Sequence, residues 1–193
     1  MKRNILWVAV LILLAGSSPV FAQNALQEQQ KKFQEMLSQV TWKNLAIDFY
    51  EVKDKSDSGF KPMTVKSVDD KNGLTYYVAK KSILSLKNMK SVDVTYKAGD
   101  DNKLRLVIRF NDEGKQILSD YTKSHLNEKM GVVIDGKLRL VANLVQPLSN
   151  GRVQVYGFDP DEAVSILQRY YQPKLDAARK FNDTVAATSA AKK

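Results

Sequence analysis

The sequence predicts an α+β fold in which a mainly antiparallel sheet has helices packed on one face and is preceded by an N-terminal helix. Two observations in residues 104–158 carry this prediction. First, the period-2 alternation of apolar and polar residues that is typical of strands gives way to a helical stripe and then returns. Second, two apolar runs flank Asp135-Gly136, a pair that accepts the positive φ angles of a tight type I′ turn and therefore predicts a hairpin.

Residues 1–22 have the composition of a secretory signal peptide. A basic start precedes an apolar core from Ile5 to Ala15, and small residues stand at Val20 and Ala22. The apolar core is shorter than the roughly 20 residues that a membrane-spanning helix needs. We therefore expect cleavage after Ala22 and a periplasmic or secreted mature protein.

The residues that follow are predicted to be an N-terminal helix and then a strand-rich lead-in. Residues 23–40 are rich in glutamine, and their few apolar residues recur at helical spacing. Residues 41–97 contain several stretches of period-2 alternation. Within this lead-in, Asn72-Gly73 predicts one hairpin turn, and the turn-rich residues 98–102 predict a second hairpin.

Residues 98–181 form the predicted α+β module. Leu104 to Phe110 alternate as a strand with one buried face, and Asn111 is placed to cap the helix that follows. After the hairpin, Asn150-Gly151 punctuates the chain before a last alternating strand that reaches Phe158.

A C-terminal helix is predicted to start at Asp159-Pro160-Asp161-Glu162, which combines an acidic N-cap with proline at the first helical position. Pro173 is expected to end or kink this helix, because a proline in a helix interior costs about 3 kcal/mol. A further amphipathic stretch reaches Phe181. Residues 182–193 lack large residues beyond Val185 and predict a disordered tail.

The residue types do not favour an enzyme. The chain has no cysteine and one histidine, so it offers no thiolate nucleophile and no thiolate metal site. His125 follows Tyr121 at helical spacing and is interpreted as a packing residue, because no catalytic partner is identifiable. No phosphate-binding loop, H-E-x-x-H helix or nucleophile elbow occurs. We therefore predict no catalytic, cofactor-binding or metal-binding residue; a hydrolase that uses two converging carboxylates is the enzymatic alternative.

The charge balance suggests a second class of function. The chain has 30 basic and 21 acidic residues, a formal net charge of +9, which falls to +7 without the first 22 residues because these hold two basic residues. Such a protein is attracted to anionic lipid or cell-wall polymer, and that attraction weakens as salt rises. The lysines are scattered, which favours an ordinary solvated surface. Nucleic acid is not an expected partner, because an exported protein meets little of it.

Several short motifs follow one another in a definite order: F-x-x-E-G at Phe110–Gly114, Thr122, V-V-I-D-G-K at Val132–Lys137 and N-G-R-V-Q-V-x-G-F at Asn150–Phe158. Together they resemble the head of the first periplasmic domain of SecD, the accessory membrane subunit of the bacterial Sec protein-export machinery. The similarity extends upstream to about Tyr76. Each motif is short and turn-rich, so their order and spacing carry the resemblance.

This resemblance implies a function as well as a fold. In the SecD family the head projects into the periplasm and is thought to touch the emerging preprotein, while transmembrane helices couple proton flow to its movement. The sequence has no bundle of such helices after residue 22. We therefore expect the binding part of that role: an exported, non-enzymatic module for unfolded polypeptide or an envelope partner, with binding of an anionic envelope surface as the alternative.

Two groups of residues are predicted to bind. Tyrosines near a sheet edge would give aromatic contact to an extended polypeptide that pairs with the edge through its backbone. A basic-aromatic run in the C-terminal helix would contact an anionic headgroup, although a helix that packs its tyrosines and solvates its lysines has the same pattern. The sequence specifies neither the partner nor the oligomeric state. The predicted binding residues are Tyr76, Tyr77, Tyr96, Arg169, Tyr170 and Lys174.

Overall fold

The computed structural model describes residues 27, 28, 30–33, 35, 36, 39–65, 73–96 and 104–190. The predicted signal peptide and the hairpin connections at 66–72 and 97–103 lie outside the described residues. The chain divides into two compact units: Trp42–Gln172 is one, and Met1–Thr41 together with Pro173–Lys193 is the other. The described residues between 27 and 36 are helical, as the sequence predicts.

In the part of the chain that the structure describes, eight strands and two long helices follow the N-terminal segment, with a short 3-10 turn, Leu86–Asn88, between the third and fourth strands. Their bounds are β1 Ile47–Lys53, β2 Phe60–Val65, β3 Leu74–Ala79, β4 Met89–Tyr96, β5 Leu104–Phe110, α1 Asp112–Ser124, β6 Lys129–Ile134, β7 Lys137–Asn143, β8 Arg152–Phe158 and α2 Pro160–Ala190.

The strands form two antiparallel sheets. One sheet has the order β2-β3-β1-β6-β7 and the other has the order β4-β5-β8. The predicted α+β class is confirmed, and so are the three predicted hairpins, β2–β3, β4–β5 and β6–β7. Both sheets combine strands from before and after the predicted boundary at residues 97 and 98, because β1 pairs with β6 and β4 pairs with β5.

The main apolar core joins one face of each sheet to α1 and α2. Phe49 of β1 and Phe110 of β5 meet edge to face there, with ring centroids 5.2 Å apart. From the helices, Leu118, Ile166 and Tyr170 are buried in the same cluster. Burial of these side chains removes apolar surface from water at roughly 25 cal/mol per Å², which makes this core the main source of stability.

A smaller apolar cluster covers the opposite face of the five-stranded sheet. Its edge strands β2 and β7 approach each other beside this cluster. Gly131 leaves the space that the cluster needs, since a Cβ there would lie 2.6 Å from Val52 Cγ2 and 3.0 Å from Leu138 Cδ1. The fully buried members of this second cluster are Val52, Val78, Val133 and Leu138.

The helix α2 begins at Pro160, as predicted, and extends through Pro173 to Ala190. Pro173 therefore does not end the helix; a proline removes one helical hydrogen bond, and the bonds of the flanking turns can continue on both sides. Residues 182–190 are helical, whereas their composition predicted disorder, and residues 191–193 lie outside the described residues. In the unit that contains this end of α2, Phe181 packs against Phe33 with ring centroids 5.3 Å apart.

The N-terminus of α1 is joined to the 3-10 turn by a close backbone contact. Asn111 caps the helix by accepting a 2.8 Å hydrogen bond from Gly114 N, as predicted, and its own amide donates to Lys87 O at 3.1 Å. The backbone N–H of Asn111 donates to Asn88 O at 2.9 Å. A Cβ at Gly114 would lie 2.5 Å from Asn88 O, so only glycine allows this approach.

The Gly114→Ala variant tests this contact, because two effects on the free energy of unfolding have opposite signs. Helix propensity favours alanine by up to about 1 kcal/mol. Overlap with the Asn88 carbonyl forces the helix away from the 3-10 turn and costs about 1–3 kcal/mol. We expect net destabilisation in urea unfolding, with Gln116→Ala on the exposed side of α1 as the control, within about 0.5 kcal/mol of the parent protein. A more stable Gly114→Ala protein would contradict the close approach.

Candidate functional site

Binding of an extended polypeptide by a sheet needs an edge strand whose outward backbone groups are free. The two sheets have four edge strands, β2, β7, β4 and β8. Strands β2 and β7 approach each other, and Pro62 in β2 has no N–H to offer. These two edges are therefore poorly suited to pair with an added strand.

The edge of β4 is covered in part by two tyrosines of α2. Tyr170 donates its hydroxyl to Met89 O at 3.2 Å, and Tyr171 is hydrogen-bonded to the backbone of Val92. Burial raises the pKa of both phenols, so both stay protonated across the physiological range. Because of these contacts the first half of β4 is not available to another chain.

The edge of β8 has no backbone partner strand in the described residues, although β7 approaches part of it and Arg139 of β7 lies over the ring of Phe158. Phe110 N donates to Gly151 O at 2.9 Å, so Phe110 and Gly151 are a hydrogen-bonded pair of the β5–β8 ladder. Every second residue of β8 from Gly151 onward therefore bonds to β5, and Arg152 and Gln154 are the residues between those that do. Their backbone groups point away from β5. Arg152 N donates to Asn150 Oδ1 at 3.0 Å, but within the described part of the chain no backbone group bonds to the outward N–H and C=O of Gln154.

Beside this edge lies the outer face of the three-stranded sheet, the face that points away from the main core. Gln154 Oε1 accepts hydrogen bonds from Arg105 Nη1 at 3.0 Å and from the Tyr156 hydroxyl at 3.2 Å. The Arg105 guanidinium lies 5.6 Å from the centroid of the Tyr156 ring, which is 51% exposed. This face is covered in part, because Val107 is fully buried and so is the Thr95 hydroxyl oxygen. The residues of the outer face are Ser91, Asp93, Thr95, Arg105, Val107, Arg109, Arg152, Gln154 and Tyr156.

This arrangement suits recognition of a chain in extended conformation. The open edge supplies a backbone donor and acceptor, and arginine and tyrosine are the residue types that contribute most to protein interfaces. Gln154 holds Arg105 and Tyr156 in place, so less side-chain freedom is lost when a partner binds. We call Arg152–Val155 with the outer face the β8 surface.

The predicted tyrosines lie elsewhere. Tyr76 and Tyr77 are in β3, which is flanked by β2 and β1 and is therefore an interior strand. Tyr76 packs on the second cluster, where the Lys129 ammonium lies 5.4 Å from its ring centroid. Tyr96 ends the edge strand β4, but its side chain lies outside the described part. The two described tyrosines are thus not at a sheet edge.

Tyr170 is fully buried in the main core, at 0% exposure. Its ring stacks on Trp42 with centroids 5.8 Å apart, and Trp42 Nε1 donates to Tyr170 O at 2.9 Å. A partner of the folded domain does not reach this side chain. Of the two alternatives for the basic-aromatic run, Tyr170 therefore fits the one in which the helix packs its tyrosines against the domain.

Arg169 holds the β6–β7 turn in place. Its Nη1 donates to Asp135 Oδ2 at 2.7 Å and to Asn44 O at 2.6 Å. Asp135 has a φ of 48° and its Oδ1 accepts from Ala46 N at 3.0 Å, so one carboxylate links the turn, α2 and the chain before β1. Lys174 belongs to the other unit, and burial lowers the pKa of its ammonium.

A pocket of about 550 Å³ lies between the β1–β2 connection and the start of β6. Its charges largely neutralise each other, because Lys53 pairs with Asp57 at 2.5 Å and Lys129 pairs with Asp54. Within the described residues no group of three or more potential metal-ligating side chains occurs. In the same residues no helix has the length and apolar character to cross a membrane.

Sequence reasoning did not identify the β8 surface, although it predicted the strand itself. The alternation from Val153 to Phe158 shows that one face is buried, but it does not show which neighbours the strand has. The signal that was available is the polar side of that strand, Arg152, Gln154 and Tyr156, opposite Arg105 and Arg109. Whether this polar side marks an exposed surface depends on which strands β8 pairs with, and the sequence pattern does not give that pairing.

Comparison with known proteins finds a family whose model matches much of this chain. The family described as SecDF, P1 head subdomain, matches residues 62–168, more than half of the chain. The protein translocase subunit SecD of Treponema pallidum (strain Nichols) is 27% identical over 74 residues, which are 38% of this chain and 13% of that protein. The chain thus corresponds to a small part of this relative. The resemblance predicted from the motifs between Phe110 and Phe158 is confirmed.

Solved structures of SecDF share the fold. The crystal structure of SecDF in a super-membrane-facing form superposes with a TM-score of 0.51 at 13% identity, over 76% of this chain and 20% of that one. A structure of SecDF, described as a membrane component that enhances protein export, gives a TM-score of 0.50 at 13% identity, over 81% of this chain and 70% of that one. At such low identity the likeness concerns the fold alone.

The contact between Arg169 and Asp135 is expected to stabilise the fold and to leave binding unchanged. Arg169→Ala and Asp135→Ala should each lower the free energy of unfolding by about 1–2 kcal/mol. A double-mutant cycle should give a coupling of about 0.5–1 kcal/mol, since the two side chains are 32% and 37% exposed. Urea unfolding of the three variants measures this coupling. An Arg169→Ala protein that unfolds like the parent but loses a partner would instead make Arg169 a binding residue.

Burial of the Tyr170 phenol predicts a loss of stability at high pH. Its pKa in the folded protein is raised by burial first, and by Tyr171 and Asp93 next, above the usual value of about 10. The buried neutral phenol of Tyr170 therefore contributes its full share to the free energy of unfolding below about pH 10, and this share is lost as the pH rises further. Urea unfolding of Tyr170→Phe should therefore show a weaker pH dependence above about pH 10 than that of the parent protein. Equal slopes for Tyr170→Phe and the parent protein would contradict this assignment.

Proposed function

Since the chain belongs to the SecDF P1 head subdomain family, we propose that it is a non-enzymatic module of protein export that binds extended polypeptide in the periplasm. The open edge of β8 carries this proposal. An exported chain is unfolded when it emerges, so its backbone groups are available to pair with a free edge strand. The relative from Treponema pallidum is named as a protein translocase subunit, which supports a role near translocating polypeptide.

Backbone pairing explains how such a module would accept many sequences. Hydrogen bonds from an edge strand go to N–H and C=O groups that every polypeptide has, while side chains on the sheet face add preference. Each added bond contributes about 0.5–1.5 kcal/mol net, so a short strand binds weakly and releases quickly. This behaviour fits a protein that holds a moving chain and does not retain it.

The other three edges support β8 as the site by contrast. The first half of β4 is covered by tyrosines of α2, and β2 and β7 approach each other. The bulge near Gly157, which has a φ of 86°, limits the regular part of β8 to its first residues. The proposed docking strand is therefore short, Arg152–Val155, and its outward backbone groups are centred on Gln154.

Gln154→Pro tests the proposal with little expected effect on the fold. The N–H of Gln154 points outward, so proline there leaves the β5–β8 bonds in place and removes the outward donor. We expect at least about a tenfold weaker affinity for a reduced, carboxymethylated and fluorescently labelled polypeptide, measured by anisotropy, because one bond is lost and the ring obstructs the edge. Gln154→Ala keeps the N–H but releases Arg105 and Tyr156, so we expect it to weaken binding by only about threefold, less than Gln154→Pro does.

Thr64→Pro on β2 is the matched control. Lys80 N donates to Gly59 O at 3.1 Å, which fixes the phase of the β2–β3 ladder and gives Thr64 an outward N–H as well. This variant should bind polypeptide like the parent protein. Equal binding by Gln154→Pro and the parent protein, or no binding by the parent protein, would refute the proposed site.

Salt separates this function from the one that the charge suggests. Backbone pairing should persist when ionic strength rises, whereas attraction to anionic lipid or cell-wall polymer should fall steeply. Anisotropy in 50 mM and 500 mM salt, with vesicles of phosphatidylglycerol as the second ligand, distinguishes the two. Binding of vesicles alone, lost at high salt, would replace the polypeptide proposal with a surface-binding protein.

A further inference from the structure

Two arginines lie directly opposite each other at the open edge. Arg109 of β5 and Arg152 of β8 are register partners, and the ladder phase makes them a non-hydrogen-bonded pair. Side chains of such pairs are the closest in an antiparallel sheet, with Cα atoms about 4.5 Å apart. Like charges in this position repel and destabilise the sheet.

The repulsion is offset for one arginine and not for the other. Arg109 Nη1 forms an ion pair with Asp93 Oδ2 on β4, which lies on the side away from β8. Arg152 is exposed, and within the described residues its guanidinium has no ion pair or hydrogen bond.

A strand added to β8 would lie on the free side of Arg152. Neighbouring strands are about 4.8 Å apart, and the residue opposite Arg152 would point to the same outer face. A carboxylate at that position would place an acid on each side of the arginine pair: Asp93 beyond Arg109 and the partner's acid beyond Arg152.

We propose that the β8 surface selects extended segments that carry an aspartate or glutamate opposite Arg152. This inference rests on the proposed function and names the class of polypeptide that the same edge prefers. The preference is moderate, because an exposed cross-strand ion pair contributes little compared with the backbone bonds. The protein then binds extended chains in general and retains acidic segments longer.

Three peptides test the preference. Each has nine residues that alternate threonine and valine, with Glu, Gln or Lys at the centre of the threonine face, and N-methyl groups on one edge prevent self-assembly. With the parent protein we expect affinities in the order Glu, Gln, Lys, with about a fivefold difference between the first and the last. The Glu preference should shrink at high salt, while the Gln peptide keeps its affinity.

A charge swap distinguishes this pair from overall charge. Arg152→Glu should reverse the order to Lys, Gln, Glu. Lys61→Glu, an equal change of charge at an exposed position on β2, should leave the order as in the parent protein. If Arg152→Glu fails to reverse the order, or Lys61→Glu changes it equally, Arg152 does not select the ligand.

The result also separates this inference from the proposed function. Equal affinities of the three peptides for the parent protein, each lost in Gln154→Pro, would overturn the acidic preference and keep the polypeptide-binding edge. Absence of binding by all three peptides and by unfolded polypeptide would overturn both.

Discussion

The close contact between Gly114 and Asn88 is the constraint on which the arrangement of the three-stranded sheet depends. It joins the start of α1 to the 3-10 turn, and that turn leads directly into β4 at Met89. Because α1 follows β5 after a single residue, the same contact sets where β5 ends relative to where β4 begins. Asn111 reinforces it with hydrogen bonds to both the turn and the helix.

The position of the 3-10 turn determines which edge of the three-stranded sheet is covered by α2. The turn places Met89, whose carbonyl oxygen accepts a hydrogen bond from the hydroxyl of Tyr170. A residue of α2 that is buried in the main core thus covers the start of the β4 edge. On the other side, β8 returns to β5 after the turn at Asn150-Gly151, and in the described part of the chain no backbone group bonds to the outward N–H and C=O of Gln154. The sheet is thus covered along the first half of one edge, while on the other edge the outward backbone groups of Gln154 have no backbone partner in the described residues.

Much of the fold was predictable because the signals are local. Asp135-Gly136 has positive φ angles of 48° and 77°, which is the turn that the dipeptide predicts, and Asn111 caps α1 through its own side chain. The candidate site was not predictable in the same way. Alternation identifies β3 and β8 equally well as strands, but interior and edge positions depend on pairing with residues far along the chain, as β1 with β6.

The basic-aromatic run in α2 shows why residue type alone does not locate a binding site. Arg169 and Tyr170 have the chemistry of interface residues, yet one anchors the β6–β7 turn and the other fills the core. Arg152 has the same chemistry and no internal partner in the described residues. The difference is whether the side chain already has a partner within the fold. The guanidinium of Arg169 is paired with Asp135. The guanidinium of Arg152 lies opposite Arg109, so a carboxylate that binds at the β8 edge would relieve the repulsion between the two arginines.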